Sequence, residues 1–101
     1  MYIYNVTINI DADIREEWVK WMREEHIPAM LATGKFSKAL MTKVNASEDT
    51  GLTYSVQYTT DSKATLQKYY DEDAETLRAQ SGRFAGNFIA FRTELEVIGE
   101  H

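Results

Sequence analysis

Residues 2 to 10 alternate without a break, with Tyr2, Tyr4, Val6, Ile8 and Ile10 on one side and Ile3, Asn5, Thr7 and Asn9 on the other. A period of two is that of a half-buried strand. The pattern returns at Leu52, Tyr54, Val56 and Tyr58, set against Thr53, Ser55, Gln57 and Thr59. It returns again from Phe88 to Ile98, where Ile89, Phe91, Thr93, Leu95 and Val97 alternate with Ala90, Arg92, Glu94 and Glu96. A weaker alternation sets Phe36, Leu40 and Val44 against Ser37, Ala39 and Lys43, with Lys38 and Thr42 interrupting the apolar side. Asn45 to Gly51, rich in Asn, Ser, Asp and Gly, predicts a hairpin loop between the middle two strands.

Two segments carry a helical period instead. At roughly 100° per residue, Ile14, Trp18, Trp21, Met22, Ala29 and Met30 share one broad face, while Glu16, Glu17, Lys20, Arg23 and Glu24 cover the other. This predicts a half-buried helix over 13 to 32. Asp13 followed by Glu16 has the spacing of a capping box, which makes Asp13 the expected N-cap. Pro28 has no N–H for the carbonyl of Glu24 and should bend or end the helix near His26, and Gly34 suits a left-handed C-terminal position. A second helix over 61 to 82 is capped by Asp61 or Ser62 and carries an apolar stripe of Leu66, Tyr70 and Leu77. Its acidic run, Asp71, Glu72, Asp73 and Glu75, reads as solvated surface. Gly82 and Gly86 bracket Phe84, a ring expected to plug the core.

Strand, helix, strand, strand, helix, strand is the order of an α+β, ferredoxin-like βαββαβ sandwich with both helices on one face of an antiparallel sheet. The first and third strands hold no charged residue and belong in the centre, whereas Lys38, Lys43, Arg92, Glu94 and Glu96 mark the second and fourth as edges. The expected strand order is 4-1-3-2. The other sheet face, expected to carry Asn5, Thr7, Ser55, Gln57, Arg92 and Glu94 with Ile3, Ala39, Met41, Ala90 and Ile98 toward its flanks, has nothing left in the chain to cover it. A homodimer through that face is therefore expected, with Arg92 and Glu94 pairing across it.

Composition narrows the function classes. A length of 101 residues with 44% hydrophobic content fits one domain, 1–101, with one modest core. Without cysteine there are no disulfides, thiolate metal sites or cysteine nucleophiles. A net charge of -5 and the lack of a basic stripe argue against a nucleic-acid partner. With no leader-like stretch and no long apolar run, the chain is expected to be cytoplasmic and to have no membrane partner.

Glu25 and His26 fall on the apolar side of the first helix, where polar groups are unexpected. One reading is local: they cap or hydrogen-bond backbone near the bend. The other is a pocket beside Trp21, with His26 as its working group, because an imidazole titrates near neutral pH. In the pocket reading His26 is the candidate catalytic base, and Trp21, Glu25, Asn5 and Arg92 are candidate ligand-binding residues. No metal site is expected, since Glu25 and His26 are adjacent and diverge on a helix and His101 lies in the tail. No cofactor is called for either: one helix histidine can ligate haem iron, yet no basic partners for the propionates accompany it.

Trp18, Trp21, His26, Pro28, Gly34 and Phe36, together with Phe84, Phe91, Arg92 and Thr93, resemble uncharacterised bacterial proteins grouped as a domain of unknown function. The resemblance spans most of the chain and implies membership of the dimeric α/β-barrel superfamily. That superfamily includes cofactor-independent monooxygenases, haem-degrading enzymes and muconolactone isomerase-like proteins. It implies the fold and the dimer, but no particular reaction. Two functions follow as expectations: a small-molecule-binding or structural homodimer, or a cofactor-independent enzyme acting on a small hydrophobic or aromatic acid or phenol.

Overall fold

A computed structural model of the chain describes residues 1–45 and 52–101. The turn expected over Asn45 to Gly51 lies, apart from Asn45, outside the described residues. Four strands, β1 (Tyr2–Ile10), β2 (Lys38–Lys43), β3 (Thr53–Thr60) and β4 (Phe88–Glu96), form one antiparallel sheet in the order β2-β3-β1-β4. That is the expected order read from the opposite edge. The two charge-free strands occupy the centre, where each has a ladder on both sides.

The first helical arm is continuous but not uniform. A 3-10 turn (Ala12–Ile14) leads into α1 (Arg15–Trp21), a π-helical stretch (Met22–His26) and α2 (Ile27–Ala32). Asp13 is not the N-cap. The chain enters two residues earlier, from extended Asp11, where the amide of Ile14 closes the turn on the Asp11 carbonyl at 3.3 Å and no side-chain cap forms. Pro28 does not end the helix; the π turn before it absorbs the missing donor, and the Ile27 amide reaches back to the Met22 carbonyl. Gly34, at φ +76°, closes the arm as expected.

The second arm comprises α3 (Lys63–Glu72), α4 (Ala74–Ala79) and a 3-10 stretch (Gln80–Phe84). Ser62 is its N-cap: Oγ accepts from the Thr65 amide at 3.1 Å, an interaction that typically stabilises by about 1 kcal/mol. Helical geometry breaks at Asp73, whose carboxylate receives the Lys35 ammonium at 2.6 Å and ties the exit of the first arm to the middle of the second. That residue of the acidic run is thus structural. Phe84 is buried, as the bracketing glycines implied, and Gly86 takes φ +84° just after it.

The core lies between the arms and one sheet face. Tyr4, Val6, Ile8 and Ile10 of β1 and Tyr54, Val56 and Tyr58 of β3 meet Trp18, Trp21, Met22 and Met30 from above, with Leu66, Tyr69 and Leu77 from the second arm. Phe36 stacks among Tyr4, Tyr58 and Tyr69, with ring centroids 5.0 to 6.2 Å apart.

The edge strands correct the expected faces. β4 pairs with β1 in the register Val6↔Arg92, Tyr4↔Glu94 and Ile8↔Ala90, which turns Arg92, Glu94 and Ala90 toward the helices. β2 pairs with β3 as Ala39↔Tyr58 and Met41↔Val56, so Ala39 and Met41 also face the helices. Ile89, Phe91 and Leu95 with Leu40 point to the uncovered face instead, and they are 61%, 67%, 40% and 59% exposed. Arg92 and Glu94 are therefore not available for pairing across that face, and its flanks are more apolar than expected.

Candidate functional site

A cleft opens between the two arms and the β1–β4 half of the sheet. It holds about 530 Å³ of empty space, open solvent at the mouth included. As an enclosed cavity it measures about 50 Å³, so the cleft is narrow. Its floor is Tyr4, Val6 and Ile8 of β1, and its β4 wall is Phe88, Ala90 and Arg92. The first arm supplies Trp21, Met22, His26 and Met30, and the second supplies Tyr69, Arg78 and Ser81.

The π turn decides which polar residue enters. On an uninterrupted α-helix, Trp21 and Glu25 would lie one above the other at i and i+4. A π turn holds one residue more, so the residue above Trp21 is His26. The two rings stack with centroids 4.8 Å apart at 21°, and Phe84 meets Trp21 edge-on at 5.3 Å. Burial, reinforced by the positive charge of Arg92, lowers the His26 pKa from 6.5 to about 4. The ring is neutral at pH 7. Its Nδ1 is buried and has no hydrogen-bond partner.

The remaining polar groups of the cleft are phenols, guanidiniums and the Ser81 hydroxyl, which donates to the Arg78 carbonyl at 2.7 Å. Arg78 Nη2 donates to the Tyr4 hydroxyl at 3.1 Å, and the Tyr69 hydroxyl donates to Met30 Sδ at 3.4 Å. Burial, then the neighbouring phenols, pushes Tyr58 and Tyr69 well above the usual phenol range, with Arg78 and Arg92 opposing this at Tyr69. Both stay protonated. Glu94, further along β4 and beyond the cleft, is held by the Tyr70 hydroxyl at 2.9 Å.

Three of the five residues singled out in the sequence meet here: Trp21, His26 and Arg92. Glu25 is exposed and pairs with Arg83 at 3.6 Å, outside the cleft. Asn5 lies on the opposite sheet face, where its amide donates to Thr7 and Thr93 at 3.2 Å and accepts from Ser55 Oγ at 2.8 Å. It cannot reach a ligand beside His26. Arg78 and the tyrosines were not anticipated. Arg78 stands one turn beyond buried Ala74, the i, i+4 spacing that would have placed it on the inner arc.

The arrangement suits binding of a small molecule: aromatic and aliphatic walls, with an imidazole, phenols and two guanidiniums among them. No carboxylate lines it, and among the described residues no cluster of three or more His, Cys, Asp or Glu is placed to hold a metal ion. Among the same residues, no helix is long and apolar enough to cross a membrane.

Several solved structures share the fold. A dimeric ferredoxin-like protein from an uncultured marine organism superposes with a TM-score of 0.75 at 16% identity, covering 100% of this chain and 98% of the other. An ethyl tert-butyl ether D family protein from Bacillus halodurans gives 0.75 at 13% identity, covering 97% and 100%. SnoaB, a cofactor-independent oxygenase from Streptomyces nogalater, gives 0.73 at 5% identity, covering 98% and 94%. At such identities the likeness is one of fold alone. No curated protein matches the sequence. Residues 1–98 match the family described as a domain of unknown function (DUF4286), and the chain belongs to that family.

Proposed function

We propose that this chain acts as a homodimer, a dimeric α/β barrel, in which each subunit's cleft binds a small, flat, largely apolar molecule. The observation that carries the reading is His26: a neutral imidazole with an unpartnered ring nitrogen, stacked on Trp21 in an aromatic slot. A merely structural histidine at a bend would satisfy its buried nitrogen on nearby backbone. The dimer part rests on the uncovered sheet face. Its central polar groups, Asn5 with Thr7, Thr93 and Ser55, already bond to one another, which lowers the cost of burying the face. Lys38 is its one charged strand residue. A likeness of fold to a dimeric protein supports the same assembly.

The second reading is a cofactor-independent enzyme with His26 as base. It is favoured by the unprotonated state of the largely buried His26 and by a likeness of fold to SnoaB. A conjugate acid near pKa 4 makes a weak base at pH 7, because proton abstraction works best with a pKa near the operating pH. Binding therefore comes first.

Titration with 2-naphthol, followed through the tryptophan emission, tests this. Saturable quenching is expected, and His26→Ala should weaken it by about tenfold or more with the far-ultraviolet circular dichroism unchanged. Quenching identical in His26→Ala would return the residue to a structural role. Oxygen uptake in the same titration would favour the enzyme.

A further inference from the structure

Acidic residues outnumber basic ones in this chain, 16 to 11, yet Arg78, Arg92 and His26 are the charged or basic groups on the cleft walls and no Asp or Glu joins them. The cleft thus runs against the charge of the whole molecule. Among the described residues the side chain of Arg92 has no hydrogen-bond or ion-pair partner, and that of Arg78 donates only to the neutral Tyr4 hydroxyl; both residues are exposed at the mouth of the cleft. Elsewhere Lys35 lies between Asp73 and Glu72, and Arg83 lies between Glu17 and Glu25. Two guanidiniums left without a carboxylate beside an apolar slot leave room for one carried by a ligand, and their planar donor sets match its two oxygens.

The histidine fits the same demand. An orphaned buried N–H is costlier and rarer than an orphaned lone pair, so the neutral ring keeps its buried, unpartnered Nδ1 bare and carries its proton on Nε2. His26 is then a donor through its accessible nitrogen, as Arg78 and Arg92 are. All three present hydrogens and await an acceptor.

Resting on the cleft-binding reading above, we propose that the ligand is a flat aromatic acid, its ring between Trp21 and the β4 wall and its carboxylate on Arg92, Arg78 and the Nε2–H of His26. This points away from neutral aromatics and from cationic ones. It also separates the two functions, since an Nε2–H donor orients an acid but cannot take a proton through that nitrogen.

The test compares 2-naphthoate with its neutral isostere 2-naphthamide at pH 7, by calorimetry on the full chain and on Arg92→Gln and Arg92→Lys. The acid is expected to bind about tenfold or more tighter than the amide. Arg92→Gln should bring the two within about threefold by weakening the acid alone, and Arg92→Lys should restore part of the preference. Nitrogen-15 spectra of the His26 ring should show the proton on Nε2. If the amide binds as tightly as the acid, the acid site is refuted while the cleft reading stands. If Arg92→Gln keeps the full preference, the arginine assignment falls. If neither compound binds, both readings fall together.

Discussion

Phe91→Asp is expected to turn the proposed dimer into a monomer. Phe91 is 67% exposed in the single chain, at the centre of the apolar flank formed by Ile89 and Leu95 on β4. In a two-fold packing of sheet on sheet, each substitution is made twice, and each places an unpaired carboxylate into a desolvated contact. A buried aromatic anchor lost from such a contact costs about 2 kcal/mol or more. Two copies therefore weaken association by roughly a thousandfold. Light scattering at micromolar concentration should give twice the 11.6 kDa chain mass for the wild type and the single mass for Phe91→Asp. Met41→Asp makes the contrast, because Met41 pairs with Val56 on the helix-covered face. Its carboxylate would enter the core side, lowering the melting temperature and leaving the mass doubled while the protein is folded. A wild-type chain that stays monomeric when concentrated would contradict the dimer.

The second large effect is a loss of stability in mild acid that belongs to one residue. His26 has a pKa of about 4 in the folded chain against 6.5 for an unperturbed imidazole, because burial and then the charge of Arg92 disfavour its protonated form. Between those two values the unfolded chain binds the extra proton and the folded chain does not, so stability rises with pH across the window and falls as pH drops from 6.5 to 4. Below about 4 both states are protonated and the loss is complete. At full size the penalty is at most about 3 kcal/mol, a large share of the stability of a small domain. Urea unfolding of wild type and His26→Phe at about pH 7 and about pH 4.5, either side of most of that window, measures it. The wild type should lose clearly more than the variant on acidification. Equal losses would mean that the imidazole is solvated rather than lodged in the cleft.

What the sequence disclosed and what it hid have a common physical origin. The central strands were legible because each has one apolar and one polar parity, so that Tyr4, Val6, Ile8 and Tyr54, Val56, Tyr58 name the buried face directly. Charge then assigned centre and edge. The edge strands misled by the same rule: in β4 the apolar parity is Ile89, Phe91 and Leu95, and apolar-inward logic sends it to the helices. Pairing with β1 sends it outward. The rule fails here because the ladder to β1, and not the apolar parity of β4, decides which side faces the helices.

The site shows a similar split. Trp21 and His26 could be read from one helical arc, but the arc also admitted Glu25. Pro28 announced a bend without saying that the bend would be a π turn, and only the extra residue of that turn lifts His26 above Trp21 and leaves Glu25 to Arg83. The pattern names Arg92 both beside His26 and on the open face, and the ladder to β1 puts it on the cleft side. The tyrosines on the cleft floor were visible only as core, since Tyr4 and Tyr58 face one another across β1 and β3 with nothing in the pattern to announce that the Tyr4 hydroxyl meets Arg78.

The central claim is that the slot between the helical arms and β4, and not the open sheet face, receives a ligand. Nitrogen-15 correlation spectra recorded while 2-naphthol is added test it most directly. Signals of the Trp21 indole, the His26 ring and the β4 amides around Ala90 should move together and saturate, while the Asn5 side-chain amide on the far face stays in place. Shifts gathered on Asn5, Thr93 and Ser55 with Trp21 and His26 unmoved would contradict it.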